Sequence, residues 1–145
     1  MKTLIFVVIV AVVFGAALTN GETACQNQKR NNSGNGPLQW DIECDAQGNY
    51  LPKQCTRQTP KWCACYNSEG LVTQPSRAIK SCECLLAKHQ LEVEGKRGCD
   101  LPTCQRSGKY EKKQCCAKTG LCHCVNETTG EKTNQPSNNR NLQCP

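Results

Sequence analysis

Cysteine and histidine are the residue types whose chemistry could define this chain, since its 145 residues include 14 cysteines and two histidines, His89 and His123. Thiols can pair as disulfides, join imidazoles in holding zinc, or act as nucleophiles beside a base. An even number of cysteines at this density favours disulfides over zinc if the chain is secreted. No serine or cysteine nucleophile motif surrounds either histidine. We therefore expect no catalytic residue, no metal and no cofactor.

The N-terminus indicates the compartment. Lys2 precedes an apolar run over residues 4–18, and small and polar residues follow up to Gly21. This layout predicts a signal peptide of residues 1–21, although a single-span anchor is the alternative. The mature protein is then secreted and extracellular, with no membrane or nucleic-acid partner expected. In that compartment Asn31 and Asn126 are N-glycosylation acceptors, since each opens an Asn-x-Ser/Thr motif.

A cysteine pattern occurs twice in the mature chain. Both copies contain Gly-x-Tyr-x-x-x-Gln-Cys, then Cys-x-Cys, then a final cysteine, and one distant cysteine precedes each copy. The matching cysteines are Cys25, Cys44, Cys55, Cys63, Cys65 and Cys82 in the first copy, and Cys84, Cys104, Cys115, Cys122, Cys124 and Cys144 in the second. Cys99 and Cys116 are left over. The repeat predicts two tightly coupled domains, residues 22–83 and 84–145, with a single residue between Cys82 and Cys84.

Composition limits what holds these units together. Units of about 60 residues bury a modest fraction of their surface, and the mature chain has few aromatic residues, so disulfides must supply most of the stability. The first unit has 7 basic against 6 acidic residues, or +1, and the second has 10 against 6, or +4. The basic second unit could favour sulfated glycans, with an ordinary solvated surface as the alternative.

Secondary structure is expected to be sparse. Residues 85–91 predict a short helix, whereas the Asn- and Gly-rich composition of residues 26–43 disfavours one. Strands are predicted at 50–54 with 62–66 and at 110–114 with 121–125, followed by turns at 67–70 and 126–130. The expected class is a small disulfide-rich α+β fold with, in each unit, a short helix and a small antiparallel sheet.

The repeated residues between the cysteines have expected structural roles. Gly48 and Gly108 suit a turn that enters a strand, and the neighbouring tyrosines, Tyr50 and Tyr110, offer rings to a small core. Gln54 and Gln114 can satisfy buried backbone groups beside a disulfide. Geometry disfavours a Cys63–Cys65 or Cys115–Cys116 bridge, yet six cysteines still allow 15 pairings, and spacing does not choose among them.

The repeated motif resembles the thyroglobulin type-1 domain over nearly the whole mature chain. The resemblance implies pairing of first to second, third to fourth and fifth to sixth cysteines in each unit. The implied disulfides are Cys25–Cys44, Cys55–Cys63, Cys65–Cys82, Cys84–Cys104, Cys115–Cys122 and Cys124–Cys144, which leaves Cys99–Cys116 as an extra pair by exclusion.

The chain departs from the family pattern around Cys-x-Cys. The family usually has Trp inside this motif and Val after it, whereas here Ala64 and Tyr66 occupy these positions in one unit and His123 and Val125 in the other. Trp62 precedes Cys63, and we expect it to take over the packing role of the missing Trp.

The resemblance also implies a function. Secreted proteins built only of such modules are often thyropins, reversible inhibitors whose loops form a wedge in the active-site cleft of papain-like cysteine proteases. Wedge loops are expected at 31–39, 56–61 and 67–70, and at 94–97, 117–120 and 126–130. Their candidate residues are Arg57, Gln58, Thr59, Pro60, Lys118, Thr119 and Gly120.

The implied partner is a cathepsin-L-like protease, and an aspartic protease is a second target known in the family. Two alternatives are open. The domain also occurs in adhesion, matrix and growth-factor-binding proteins, and the scaffold could serve as a venom or defence component without inhibition.

Overall fold

The structure is a computed structural model that describes residues 21–32 and 39–145. Apart from Gly21, the predicted signal peptide lies outside the described residues, and so does most of the predicted 31–39 loop. In the described ranges, no helix has both the length and the apolar character needed to cross a bilayer.

The described chain is small, disulfide-rich and mixed α and β. Residues 22–83, called the first half below, contain helix α1 and a four-stranded antiparallel sheet with strand order β1-β2-β3-β4. The second half (residues 84–145) contains helix α2, a 3₁₀ turn and a two-stranded antiparallel sheet. The elements are α1 Ala24–Asn31, β1 Trp40–Asp41, β2 Lys53–Thr56, β3 Cys63–Asn67, β4 Gly70–Leu71, α2 Glu83–Val93, the 3₁₀ turn Gly98–Asp100, β5 Lys113–Cys115 and β6 Cys122–Cys124.

The helix α1 shows that the expectation drawn from the composition of residues 26–43 was wrong. Thr23 caps the helix: its hydroxyl accepts a hydrogen bond from the Gln26 amide (3.2 Å), while the Gln26 side chain accepts one from the Thr23 amide (3.0 Å). This reciprocal cap satisfies two helix-end donors. The Cys25–Cys44 disulfide ties the first turn to the sheet. A cap and a covalent bond therefore outweigh weak helix propensity.

The helix predicted over residues 85–91 is confirmed, and it extends further in both directions as α2. Leu85 and Leu86 pack against a buried cluster of the first half, formed by Cys63, Cys65, Ile79 and Cys82. Helix α2 therefore also completes the small, cysteine-rich core of the first half.

Seven disulfides join all 14 cysteines, so no cysteine is free. In each half the six repeated cysteines pair first to second, third to fourth and fifth to sixth, and the second half has one bridge more. The pairs are Cys25–Cys44, Cys55–Cys63, Cys65–Cys82, Cys84–Cys104, Cys115–Cys122, Cys124–Cys144 and Cys99–Cys116. Such bonds typically contribute about 2–4 kcal/mol each by restricting the unfolded chain.

The expected role of the two repeated glutamines is confirmed. Gln54 is buried, and its amide group bonds Glu43 twice, accepting from the backbone N–H and donating to the C=O (both 2.8 Å). Gln114 does the same to Thr103 (2.7 and 2.9 Å). The side-chain amide therefore makes the two hydrogen bonds that the backbone of a neighbouring strand would otherwise make. These bonds hold the segment before the second cysteine of each repeat in place.

The sheet strands begin later than expected, at Lys53 and Lys113. Tyr50 and Tyr110 form only isolated bridges, with Cys44 and Cys104. In the first half Tyr50 stacks at 5.1 Å from Tyr66, whose ring also meets Trp40 edge-on at 6.2 Å. Burial raises the pKa of Tyr66 above its usual range. These three rings therefore pack together, with Tyr66 buried between the other two.

The two halves dock tightly where the predicted single-residue junction lies. The Ser107 carbonyl accepts bonds from the backbone amides of Lys80 (2.8 Å) and Ser81 (3.0 Å) across the boundary. Within the second half, the Gly108 carbonyl accepts one from the Cys84 amide (3.1 Å). Gly108 has φ +91°, and a Cβ built on it would lie 1.7 Å from the Ser81 carbonyl oxygen. Only glycine allows this approach of two backbones.

Glu83 at the junction is expected to make stability sensitive to acid. The pKa of the Glu83 carboxyl is lowered, and the main cause is the hydrogen bond that the Ser81 hydroxyl donates to it. A carboxyl whose pKa is lower in the folded than in the unfolded state stabilises the fold fully when the pH is above the unfolded-state pKa. This stabilisation is lost as the pH falls through the folded-state pKa. Urea unfolding between pH 7 and pH 3 should therefore show a smaller acid-induced loss for Glu83→Gln than for wild type. An equal loss in both proteins would contradict this role.

Candidate functional site

The loop between β2 and β3 is the most exposed part of the first half that is also rigidly anchored. The Cys55–Cys63 disulfide closes its base, and the Thr56 amide bonds the Trp62 carbonyl (2.8 Å) inside that bridge. The Trp62 amide in turn donates to the Thr56 hydroxyl (3.0 Å). Residues 57–61 therefore project from a closed ring, with Arg57, Thr59 and Pro60 exposed.

The end of the segment before β1 joins this loop. The Arg57 amide donates to the Gln39 carbonyl (2.8 Å), and the Gln39 amide donates to the Gln58 side chain (3.1 Å). The Arg57 guanidinium also lies 3.4 Å from the Asp41 carboxylate. Gln39, the last residue of the expected 31–39 loop, therefore contacts the loop at 57–61.

Trp62 does not pack in the core, which makes the expectation for it wrong. Its side chain is 37% exposed, and the Arg77 guanidinium stacks over its ring at 5.4 Å from the centroid. Antiparallel backbone hydrogen bonds between Cys63 and Ser76 (2.8 and 3.1 Å) bring Arg77 to the end of β3 where Trp62 lies. Sequence reasoning missed Arg77, although the Gln-Pro-Ser motif that occurs in both halves precedes it. We name Gln39, residues 57–62 and Arg77 the first tip.

The second half presents a shorter loop of the same design. The Cys115–Cys122 disulfide closes its base, and the Cys116 amide bonds the Leu121 carbonyl (2.8 Å). Gly120 donates back to the Cys116 carbonyl (2.8 Å), so residues 117–120 form a tight, exposed turn that contains Lys118 and Thr119. The Cys99–Cys116 disulfide adds a second anchor, to the 3₁₀ turn after α2. We name residues 116–121 and Cys99 the second tip.

The turns at 67–70 and 126–130 lie away from the tips. Each begins at the opposite end of the central strand, about 13 Å along it from Cys63 or Cys122 at ordinary strand rise. The turn at 126–130 is also held against the rest of the second half. The Glu127 carbonyl accepts a hydrogen bond from the Tyr110 amide (2.9 Å), and the Glu127 carboxylate lies 2.7 Å from the Lys109 ammonium. The three loops expected in each half therefore do not form one surface.

Of the two glycosylation acceptors, Asn126 lies away from the exposed ends of the tips, whereas Asn31 precedes Asn32, whose side-chain amide donates to the Trp40 carbonyl beside Gln39 of the first tip. Asn31 is the last residue of α1, and its side-chain amide bonds Asn27 one turn earlier. Asn126 opens the packed turn, where its side-chain oxygen accepts from the Thr128 (2.8 Å) and Thr129 (3.0 Å) amides. Both acceptors are exposed.

Of the two histidines, only His123 lies within a sheet. It is half-buried in β6, opposite Gln114 of β5. Burial, with a smaller effect from the positive charge of Lys132, lowers the pKa of His123 below its usual range. The side chain is therefore a neutral imidazole near pH 7, beside a cation.

The pKa of His123 can be measured directly. A pH titration of its ring protons by NMR should give a value below the 6.5 of an unperturbed histidine. Lys132→Gln should raise that value, because it removes the repulsion between imidazolium and ammonium. Lys118→Gln, which removes the same charge from the second tip, serves as the control and should leave the pKa unchanged. A rise with Lys118→Gln equal to that with Lys132→Gln would contradict the local cause.

Comparison with known proteins places these features in context. Residues 82–144 match the thyroglobulin type-1 repeat. U20-hexatoxin-Hi1a of Hadronyche infensa is 36% identical over 141 residues, which cover 92% of this chain and 96% of that protein.

Two more distant relatives extend the comparison. U24-ctenitoxin-Pn1a of Phoneutria nigriventer is 29% identical over 105 residues, which cover 71% of this chain and 81% of that protein. Equistatin of Actinia equina is 28% identical over 135 residues, which cover 84% of this chain and 58% of that protein. The chain is therefore similar both to toxins and to equistatin along most of its length.

Proposed function

This chain belongs to the thyroglobulin type-1 family, and from that premise we propose that it is a secreted, reversible inhibitor of papain-like cysteine proteases. The similarity to equistatin supports an inhibitor. The absence of any free thiol supports binding over thiol catalysis, since all 14 cysteines are in disulfides. In this proposal the tips act as wedges that occupy the active-site cleft of a cathepsin-L-like enzyme.

The observation that carries the proposal is the rigid anchoring of exposed tip residues. In the first tip a disulfide, a backbone bond and the Gln39–Gln58 contact hold the loop from three sides. A loop already fixed in its bound shape loses little conformational entropy on binding. A flexible loop would also be a better substrate than an inhibitor, because it could adapt to the cleavage geometry of the protease.

We further propose that each half is one thyroglobulin type-1 domain, with boundaries at 22–83 and 84–145. The family match covers the second half, and the first half has the same cysteine order, the same buried glutamine and the same positive-φ glycine before its tyrosine. Each domain then carries its own tip. The tips differ in length and charge, so they can differ in target, and an aspartic protease is the second target class.

The test is a titration of papain and a cathepsin-L-like enzyme with the refolded full chain, with pepsin as the aspartic protease. We expect competitive, reversible inhibition of at least one cysteine protease at micromolar concentration or below. The chain recovered from the complex should be intact by mass spectrometry. Failure to inhibit any of the three enzymes at that concentration would overturn the proposal.

A venom component without inhibitory activity is the second candidate, and the names of two relatives favour it. U20-hexatoxin-Hi1a and U24-ctenitoxin-Pn1a are both called toxins. The same titration separates the two candidates, because only an inhibitor slows peptide hydrolysis.

We propose that Asn31 and Asn126 both carry glycans, and that the glycan at Asn126 is compatible with inhibition because this acceptor lies outside both tips. Secretion from insect cells should give a mass that falls on glycosidase treatment, and Asn126→Gln should remove one glycan. The inhibition constant of this variant should stay within about twofold of wild type. A tenfold change would place the turn at 126–130 in the inhibitory surface after all.

A further inference from the structure

The second half contains an open groove whose lining includes Cys99, Cys116, Thr119 and Leu121 of the second tip. It lies between α2 and the β5–β6 sheet and has a volume of about 520 Å³. That volume falls within the range of small-molecule sites, roughly 300–1,000 Å³. Its apolar lining comes from Ala87, Leu91, Leu101, Pro102, Val125 and Pro136.

The groove exists because the second half lacks two rings that occupy the same face of the first. Tyr66, next to Cys65, is buried against Trp40, four residues before Cys44. In the second half Val125 is next to Cys124, and Asp100 lies four residues before Cys104. The smaller side chains leave space that the first half fills with aromatic packing.

The extra disulfide forms one wall of this space. Cys116 takes the strand position that the buried Thr56 holds in the first half, and it bonds to Cys99. Both cysteines line the groove. A covalent wall keeps the groove from collapsing onto its smaller side chains, so the space is preformed.

The same comparison of the two halves shows why polar groups lie on one side of the groove. The pair Tyr66–Leu71 of the first half is replaced by Val125–Lys132, and His123 takes the place of Ala64 opposite the conserved glutamine position. Lys132 and His123 both line the groove. A cation and an imidazole therefore border an apolar floor, while Asp100 lines the groove from the 3₁₀ turn.

We propose that this groove binds an aliphatic carboxylate, with its chain against the apolar lining and its carboxylate beside Lys132 and His123. Chain burial supplies the affinity, and the cation sets the orientation. Affinity should rise about fourfold for each methylene added to a short chain until the groove is full. The proposal does not rest on protease inhibition, although the site shares Cys99, Cys116, Thr119 and Leu121 with the second tip.

The probe is octanoate, titrated into the full chain by calorimetry and by NMR, with hexanoate as the shorter chain and octan-1-ol as the uncharged control. We expect one site, with shifts at Leu91, His123 and Val125, and at least tenfold weaker binding of octan-1-ol. Absence of octanoate binding at millimolar concentration, or equal binding of the alcohol, would overturn the proposal.

Variants locate the site. Lys132→Gln should weaken octanoate binding about tenfold, and Lys118→Gln should leave it unchanged. Asp100→Asn should tighten it by removing a like charge. Val125→Tyr, which restores the residue type of the first half, should abolish binding, and Ala87→Leu fills the groove from the helix if the tyrosine variant does not fold. Unchanged binding in a folded groove-filling variant, or equal effects of the two lysine variants, would show that the groove is not the site.

Discussion

Removing the rigid tips is expected to raise the inhibition constant for a cathepsin-L-like protease by about 100-fold or more. The variant replaces Gln58, Thr59 and Pro60 with glycines in the first tip, and Lys118 and Thr119 with glycines in the second. The disulfides at the base of both loops remain. The change removes side-chain contacts and also loosens loops that are now fixed, and a central cluster of contacts is typically worth more than 2 kcal/mol.

Each tip should also be replaced alone in the full chain, because two active tips would mask each other. If both bind protease, each single replacement halves the stoichiometry in a titration of active sites. If one tip is active, only its replacement abolishes inhibition. The matched control is Ser68→Ala with Glu69→Ala in the turn at 67–70, at the far end of β3. Equal loss of inhibition in this control and in the tip variants would disprove the placement of the wedge.

Gly108→Ala is expected to be the most destabilising alanine substitution among the turn glycines. The new Cβ would lie 1.7 Å from the Ser81 carbonyl oxygen, so the docked backbones of the two halves must separate. Backbone strain at positive φ adds to this clash, and together the two effects should cost about 3–5 kcal/mol.

Two other glycines provide matched controls. Gly120 has φ +70° with nothing within 4 Å of its built Cβ, so its substitution tests strain alone, at about 1–2 kcal/mol. Gly48 has φ +85°, and its Cβ would meet the Thr23 side chain at 2.6 Å, so its substitution disturbs the α1 cap but meets no backbone among its three nearest atoms. Urea unfolding with disulfides intact should therefore rank the losses as Gly120, then Gly48, then Gly108. Equal losses at Gly120 and Gly108 would show that the junction is not tightly docked.

Much of this fold could be predicted because cysteine spacing and local composition carry the information. The α2 helix and the role of Gln54 and Gln114 follow from residue type and spacing alone. The α1 helix could not be predicted from composition, since its stability comes from the Thr23–Gln26 cap and a distant disulfide partner.

The candidate site was predicted less completely because it depends on contacts between distant segments. Loop residues such as Arg57 could be identified as exposed from the sequence. Which loops share one end of the sheet depends on strand register, and the register places the turns at 67–70 and 126–130 at the far end. Trp62 lies outside the core, where Tyr66 is buried against Trp40 instead. The partnership of Arg77 with Trp62 required the three-dimensional structure.

The close docking of the two halves at Gly108 has a consequence for avidity. Two sites joined by a flexible linker search a large volume, so their mutual effective concentration depends on linker length. Here two backbone hydrogen bonds to Ser107 join the halves in place of a linker, and the separation of the tips is set by the protein itself. Two protease molecules can be held together only if their own spacing matches that separation. Clustered enzymes at that spacing would be captured with high avidity, whereas a dilute enzyme would meet each tip as an independent, monovalent ligand.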